Sequence, residues 1–263
     1  MSHTLLFGDD GSACADVGWL WVNSHNWPGW TIEVLHAGVQ EDPPAPRELL
    51  RPTVAIDLNT TVVTGDPRYE LHTRGAKTDL VVIGARGQGF LKRMHLGSTA
   101  EWLMHGPSAP LVITRSGRRI RSILLAHDGS VHAEAAQDAV AMLPWLDQVN
   151  VHVVAVHEKD DPRQLVAAAA NHLRRLAQSV EVHILRPDDL DVFYRTRDLI
   201  LESAARLNVD LIALGSRRLT TWASITEIGL HRAGSTASGV AQQAQANVLL
   251  AQAAPEHDSS ATA

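Results

Sequence analysis

Residues 79–115, DLVVIGARGQGFLKRMHLGSTAEWLMHGPSAPLVITR, decide how the rest of this chain is read. Leu80 to Ile83 is a short run rich in Val and Ile, the pattern of a parallel strand buried on both faces. Gly84 ends it, Gly84 and Gly87 flank Ala85-Arg86, and after nine more residues Gly97-Ser98-Thr99-Ala100 opens an amphipathic segment that stops at Gly106-Pro107. The order is strand, glycine loop, helix, strand. Glycines allow backbone N–H groups to turn toward an anion, and a helix start offers unpaired N–H groups at the positive end of its dipole. The hydroxyls of Ser98 and Thr99 add donors. A tight turn with Ser98 as helix cap uses the same residues.

The spacing Gly-x2-Gly-x9-Gly-Ser, between a strand that begins Asp79-Leu80 and the strand Leu111-Val112-Ile113, resembles the universal stress protein family. In that family this motif marks the members that bind ATP. The resemblance implies an α/β fold with a doubly wound parallel sheet of five strands in the order 3-2-1-4-5. It also implies a cofactor site for ATP, with AMP and ADP as alternatives, at Gly84, Ala85, Arg86, Gly87, Gly97, Ser98 and Thr99. Lys92 lies in the same loop and could also meet a phosphate oxygen.

The same grammar appears twice. Ile123 to Ser130 aligns without a gap on Leu5 to Ser12, so that Asp128 matches Asp10 and Ser130 matches Ser12. Asp210 to Gly215 repeats Asp79 to Gly84, Gly234-Ser235-Thr236-Ala237 repeats Gly97 to Ala100, and Asn247 to Ala251 takes the place of Pro110 to Thr114. Blocks repeated in order indicate an internal duplication. We expect one domain over 1–116, a linker at 117–121, a second domain over 122–252 and a disordered tail from 253 to 263. Each domain should be a doubly wound parallel five-stranded α/β sheet, a tandem arrangement.

In order, strands are expected at Thr4–Gly8, Thr31–Ala37, Thr60–Thr64, Leu80–Gly84 and Leu111–Thr114, with helices at Ala13–Asn23 and Pro67–Thr78. The Pro-rich stretch 42–52 should shorten or abolish the second helix, with Thr53 to Leu58 as an additional strand candidate. Ligands of such sheets sit at the carboxyl ends of strands where the strand order reverses. With the family's order the reversal falls between strands 1 and 4, which end at Asp10 and Gly84. Asp10 and Ser12 then face the glycine loop, and the resemblance places Asp10 near the nucleotide, where a Mg²⁺ ion reached through water would suit a carboxylate. It also puts the base against main chain at the end of strand 2, around His36 and Ala37. Asp9 is expected to face solvent, because its counterpart is His127.

The second repeat departs from the motif. Arg218 stands where the second glycine should be, and Gly215 to Gly234 spans 19 positions against 13 for Gly84 to Gly97. A left-handed backbone costs a non-glycine residue about 1–2 kcal/mol, so one competent nucleotide site per chain is expected. Asp128, Gly215, Gly234, Ser235 and Thr236 are the weaker equivalents. Arg217, Arg218, His231 and Arg232 are more simply solvated loop charges than a rebuilt anion site.

Composition excludes several classes. At 263 residues with a formal net charge of -6, the chain has no electrostatic footprint for nucleic acid. A single cysteine, Cys14, excludes an internal disulfide and suits a reducing compartment; as a small residue of the first helix it is expected to be buried. No leader or membrane span is legible, so a cytoplasmic protein is expected. The fourteen histidines show no metal-ligand spacing, there is no Gly-x4-Gly-Lys-Ser/Thr loop, and Trp19, Trp21, Trp102 and Trp145 read as helical core or interface residues. No catalytic residue stands out, which leans away from an enzyme. The expected role is an ATP-binding regulatory module of the stress response, whose nucleotide shifts which conformation a regulated partner protein binds. Rivals are a slow ATPase or adenylyl-transferring enzyme, and a scaffold that binds no nucleotide. Family members associate through the last strand of each domain, so Leu111–Thr114 and Val248–Ala251 could pair as an intramolecular pseudo-dimer, with homo-oligomers as a further option.

Overall fold

The computed structural model describes residues 2–38, 45–51, 55, 57–86, 96–156, 162–186, 195–217 and 235–253. Gly87, Lys92, Arg218, His231, Arg232, Gly234 and the tail beyond Ala253 lie outside them.

The first repeat runs β1 (His3–Gly8), α1 (Ala13–Ser24), β2 (Trp30–Ala37), β3 (Asp57–Val63), α2 (Pro67–Gly75), β4 (Leu80–Gly84), α3 (Ser98–Met104) and β5 (Leu111–Thr114). The second runs β6 (Ser122–Ala126), α4 (Val131–Ala141), a 3-10 turn (Leu146–Gln148), β7 (Asn150–Val156), α5 (Arg163–Leu173), β8 (Ser179–Leu185), α6 (Thr196–Arg206), β9 (Leu211–Gly215), α7 (Ser235–Gln243) and β10 (Asn247–Ala251). All ten strands form one sheet in the order β3-β2-β1-β4-β5-β10-β9-β6-β7-β8. Each half therefore has the order 3-2-1-4-5, and the halves meet where β5 and β10 pair antiparallel, Ile113 opposite Val248 and Leu111 opposite Leu250. The other pairs are parallel. One antiparallel pair between two parallel sheets sends the strand ends of the two repeats to opposite rims.

Alternation along the strands sorts the core into two layers shared by both repeats. Leu5, Phe7, Val82, Ile123 and Leu125 face α1, α4 and α5, while Leu6, Ile83, Leu124, Ile212 and Leu250 face α2, α3, α6 and α7. β1 and β4 are buried on both faces, as their unbroken apolar runs require.

Four details differ from the sequence expectation. β3 begins at Asp57 and pairs with β2 from Thr31 to Ala37, so Asp57 to Leu58 open the third strand instead of forming an extra one. Polar residues are tolerated there because β3 is an edge strand whose side chains reach water. In keeping with the expectation for the Pro-rich stretch, residues 45–51 carry no helix. α2 stops at Gly75, where a Cβ would stand 2.7 Å from Ser108 Oγ and 2.9 Å from Val81. Trp145 precedes a 3-10 turn rather than lying on a helix, and Trp102 is only half-buried.

Trp21, Trp27 and Trp145 surround His25, whose ring centroid is 4.1 Å from that of Trp145. His25 Nδ1 donates to the Trp21 carbonyl at 2.8 Å and Nε2 accepts the Ile120 N–H at 2.9 Å, which fixes one neutral tautomer and ties α1 to the segment entering the second repeat. Asn247 Oδ1 accepts the N–H groups of Arg115 (2.7 Å) and Ser116 (3.0 Å) at the same junction.

Burial lowers the His25 pKa from 6.5 to about 4. The unfolded chain therefore binds a proton that the folded chain refuses, and stability present above pH 6.5 is lost as the pH falls toward 4. The loss from this group is about 3 kcal/mol. Urea unfolding between pH 7 and pH 4 should show it, with a shallower dependence in His25→Gln. Equal slopes in the two proteins would remove His25 from this account.

Candidate functional site

The carboxyl ends of β1 and β4 part at the reversal of strand order, and a cavity of about 290 Å³ opens there. Gly8, Asp9 and Asp10 form one wall, Ile83, Gly84 and Arg86 the other, and Gly97, Ser98, Thr99 and Ala100 close one end. Pro67 and Leu71 of α2 cover its apolar side, and Leu35 and Ala37 its floor. A second, more open cavity of about 530 Å³ adjoins it at Ala37 and is lined by His36, Gly38, Val62, Val63, Thr64, Glu70 and Arg74.

Local sequence explains each wall. Ser12 caps α1, its Oγ accepting the Ala15 N–H at 3.1 Å, and Asp10 Oδ1 accepts the Ser12 N–H at 3.0 Å. α2 is likewise capped by Asp66, whose side chain accepts the Arg68 N–H. α3 is the exception within the first repeat: its N-cap is Gly97, which has no side chain to offer. The first intrahelical bond of α3 runs from Glu101 N–H to the Gly97 carbonyl, so the amides of Ser98, Thr99 and Ala100 precede it on the rim of the cavity. The loop closes on itself where Gly97 N–H donates to the Ala85 carbonyl at 2.8 Å.

Seven of the expected site residues, Asp10, Ala37, Gly84, Arg86, Gly97, Ser98 and Thr99, line this cavity. Ser12 and Ala85 stand behind it, the first buried as a helix cap and the second bonded to the Thr114 carbonyl. Gly84 is required for a reason other than left-handed backbone, since its φ is not positive. A Cβ there would lie 2.7 Å from the Cys14 carbonyl oxygen, so the missing side chain lets the first turn of α1 sit on the end of β4. Gly215 repeats this against His132 at 2.5 Å. Cys14 itself is half-buried rather than buried.

Asp9 overturns the expectation of a solvent-facing carboxylate. Its side chain has no exposure, and Arg47 clamps it through Nε at 2.6 Å and Nη2 at 2.8 Å, with a third arm to Asp16 at 2.7 Å. The hydrogen bond to Asp9 raises the Arg47 pKa further. Gly11 N–H also donates to Asp9 Oδ1 at 3.0 Å, and His36 Nδ1 lies 3.2 Å from the Asp9 carbonyl. No local signal in the sequence points to Arg47, which sits 38 positions from Asp9 in the Pro-rich stretch.

The second repeat solves the same position differently. His127 is buried, its Nδ1 accepts the Gly129 N–H at 3.2 Å, and burial lowers its pKa, which keeps it neutral without a cation. Leu165 of α5 packs over Gly129, where a Cβ would meet it at 2.3 Å. Asp128 is exposed and accepts the Ser130 N–H at 3.0 Å, Gly215 ends β9, and Ser235 and Thr236 start α7.

A model of the universal stress protein family matches residues 47–115. No curated protein matches the chain. Among solved structures, a universal stress protein from Archaeoglobus fulgidus DSM 4304 superposes with a TM-score of 0.69 at 18% identity, over 97% of this chain and 100% of that one. A functionally unknown protein from Pseudomonas aeruginosa PAO1 superposes with a TM-score of 0.58 at 16% identity, over 96% of this chain and 93% of that one. At such identities the likeness concerns the fold. The matched residues, 47–115, span Arg47, β3, α2, β4, α3 and β5.

Removing one partner of a buried ion pair leaves an uncompensated charge, at a cost of about 3–5 kcal/mol. Arg47→Met should therefore destabilise the protein by about 3 kcal/mol in urea unfolding, and adding Asp9→Asn should recover part of that loss. A double variant no more stable than Arg47→Met would show that the carboxylate's charge is not what Arg47 serves.

Proposed function

We propose that this chain, whose residues 47–115 match the universal stress protein family, holds an adenine nucleotide in the crevice of its first repeat and acts as a regulatory module. The observation that carries the reading is the convergence of Asp10, Gly84, Arg86, Gly97, Ser98 and Thr99 on one cavity where the strand order reverses. The residues suit the group. Amides of Ser98 and Thr99, uncapped by any side chain at Gly97, and the guanidinium of Arg86 are donors for phosphate oxygens. The Asp10 carboxylate is the hard oxygen ligand that a hydrated Mg²⁺ accepts.

The adjoining cavity at Ala37 and Gly38 would take the base against main chain, with Val62 and Val63 as its apolar walls. ATP is the preferred ligand, with AMP and ADP as alternatives. Bound nucleotide would place negative charge between Asp10 and the amides of Ser98 and Thr99 and so shift which conformation a regulated partner protein binds. That partner would act in a stress response inside the cytoplasm, and β5 paired with β10 would serve as an internal pseudo-dimer. The second repeat, with Arg218 in place of a glycine, would have lost the same activity.

Calorimetric titration with ATP and Mg²⁺ should give one site per chain. Ser98 is exposed, so Ser98→Ala should leave folding intact and remove a hydrogen bond to a charged oxygen, about 1.5–3 kcal/mol. Affinity should fall about tenfold or more, and Gly87→Trp should lower it further. Two equal sites, or unchanged binding by Gly87→Trp, would rule this reading out.

A further inference from the structure

Three metal-ligand side chains meet far from the crevice, on the outer strands of the second repeat. In the register of β7 and β8, His152 stands opposite Glu181 and Val154 opposite His183. Side chains two apart share a face of a strand, so His152, Glu181 and His183 project together. Leu185, two residues further, belongs to the core layer on that face. His152 and Glu181 are level with Leu124 in the middle of β6, and His183, opposite Val154, is level with its last residue, Ala126.

The spacing is that of a chelate. His152 Nδ1 is 3.1 Å from His183 Nε2 and 3.4 Å from Glu181 Oε2, and His183 Nε2 is 3.5 Å from the same oxygen. Zn²⁺ bonded tetrahedrally at about 2.0–2.2 Å holds its ligand atoms about 3.4 Å apart. The triangle therefore matches one face of the tetrahedron. Exposure grades outward across it, with side chains 13% exposed at His152, 26% at His183 and 62% at Glu181. Two imidazoles form the floor and the carboxylate the solvent edge, which gives an ion a path in and leaves the fourth corner to water.

The first repeat serves as an internal control. Glu33 and Asn59 are paired in the register that His152 and Glu181 occupy, and Thr61 follows where His183 follows. There Arg74 sits 3.3 Å from Glu33 and answers its charge, and no imidazole is present. In the second repeat two imidazoles take those places, beside the carboxylate of Glu181.

We propose that His152, Glu181 and His183 form a site for one divalent transition-metal ion of the zinc class, tetrahedral, with water as fourth ligand. The ion ties the edge strand β8 to β7. Without metal, the same two rings would share one proton in a hydrogen bond.

The test uses the full chain without a polyhistidine tag, stripped with a chelator and titrated with Zn²⁺ by calorimetry and with Co²⁺ by visible absorption. One equivalent of Zn²⁺ and the intense spectrum of four-coordinate Co²⁺ are expected, with Zn²⁺ raising the melting temperature. His152→Ala and His183→Ala should each weaken Zn²⁺ binding by at least about tenfold, since even outer partners of metal ligands contribute 10–100-fold. Glu181→Gln, at an exposed side chain, should weaken it without affecting the fold, which covers the case of a histidine variant that does not fold. Zn²⁺ affinity unchanged in Glu181→Gln and in the histidine variants would assign the ion to others of the fourteen histidines and overturn the proposal. So would a weak six-coordinate Co²⁺ spectrum.

Discussion

A side chain at position 84 would drive its Cβ to 2.7 Å from the carbonyl oxygen of Cys14, and everything at the candidate site depends on that space being empty. With glycine there, the first turn of α1 rests on the end of β4, and the turn from β1 into α1 is held beside the loop that leaves β4. Asp10 and Arg86, remote in sequence, then stand across one cavity. Gly215 does the same for α4 and β9, so the packing is a property of the repeat rather than of the ligand. The cavity is what a particular repeat builds on that frame.

The two repeats diverge most clearly at the residue after the first strand. Asp9 is buried and charged, which obliges the chain to supply Arg47 from a segment with no helix of its own. His127 is buried and neutral, and the second repeat keeps a regular helix, α5, after its second strand. An ion pair out of water is expensive and geometrically exacting. Its presence in the repeat with the full glycine motif keeps the β1–α1 turn in one arrangement next to Asp10.

Strands and their order were legible because buried parallel strands read as unbroken Val, Ile and Leu runs, and because the duplication supplied each run twice. Asp10, Gly84 and Gly97 to Thr99 could be placed together from spacing and the switch-point rule. What stayed hidden was long-range pairing. For Asp9 the analogy with His127 misleads, since nothing local announces Arg47. The start of β3 was obscured by Asp57 and Asn59, residues that an edge strand tolerates and a central one would not. His152 and Glu181 show no metal spacing along the chain; only the register of β7 on β8 brings them opposite each other.

The reversed direction of β10 against β5 has one more effect. Since every other pairing is parallel, the loops after β1 and β4 leave one rim of the sheet and those after β6 and β9 leave the other. From the mid-point of β1 and β4 to that of β9 and β6 is four inter-strand steps sideways, about 19 Å, more than twice the screening length of roughly 8 Å in physiological salt. A charge seated at either end is thus largely screened from the other through solvent. The continuous path between the ends is the seam where Leu111 and Ile113 pair with Leu250 and Val248.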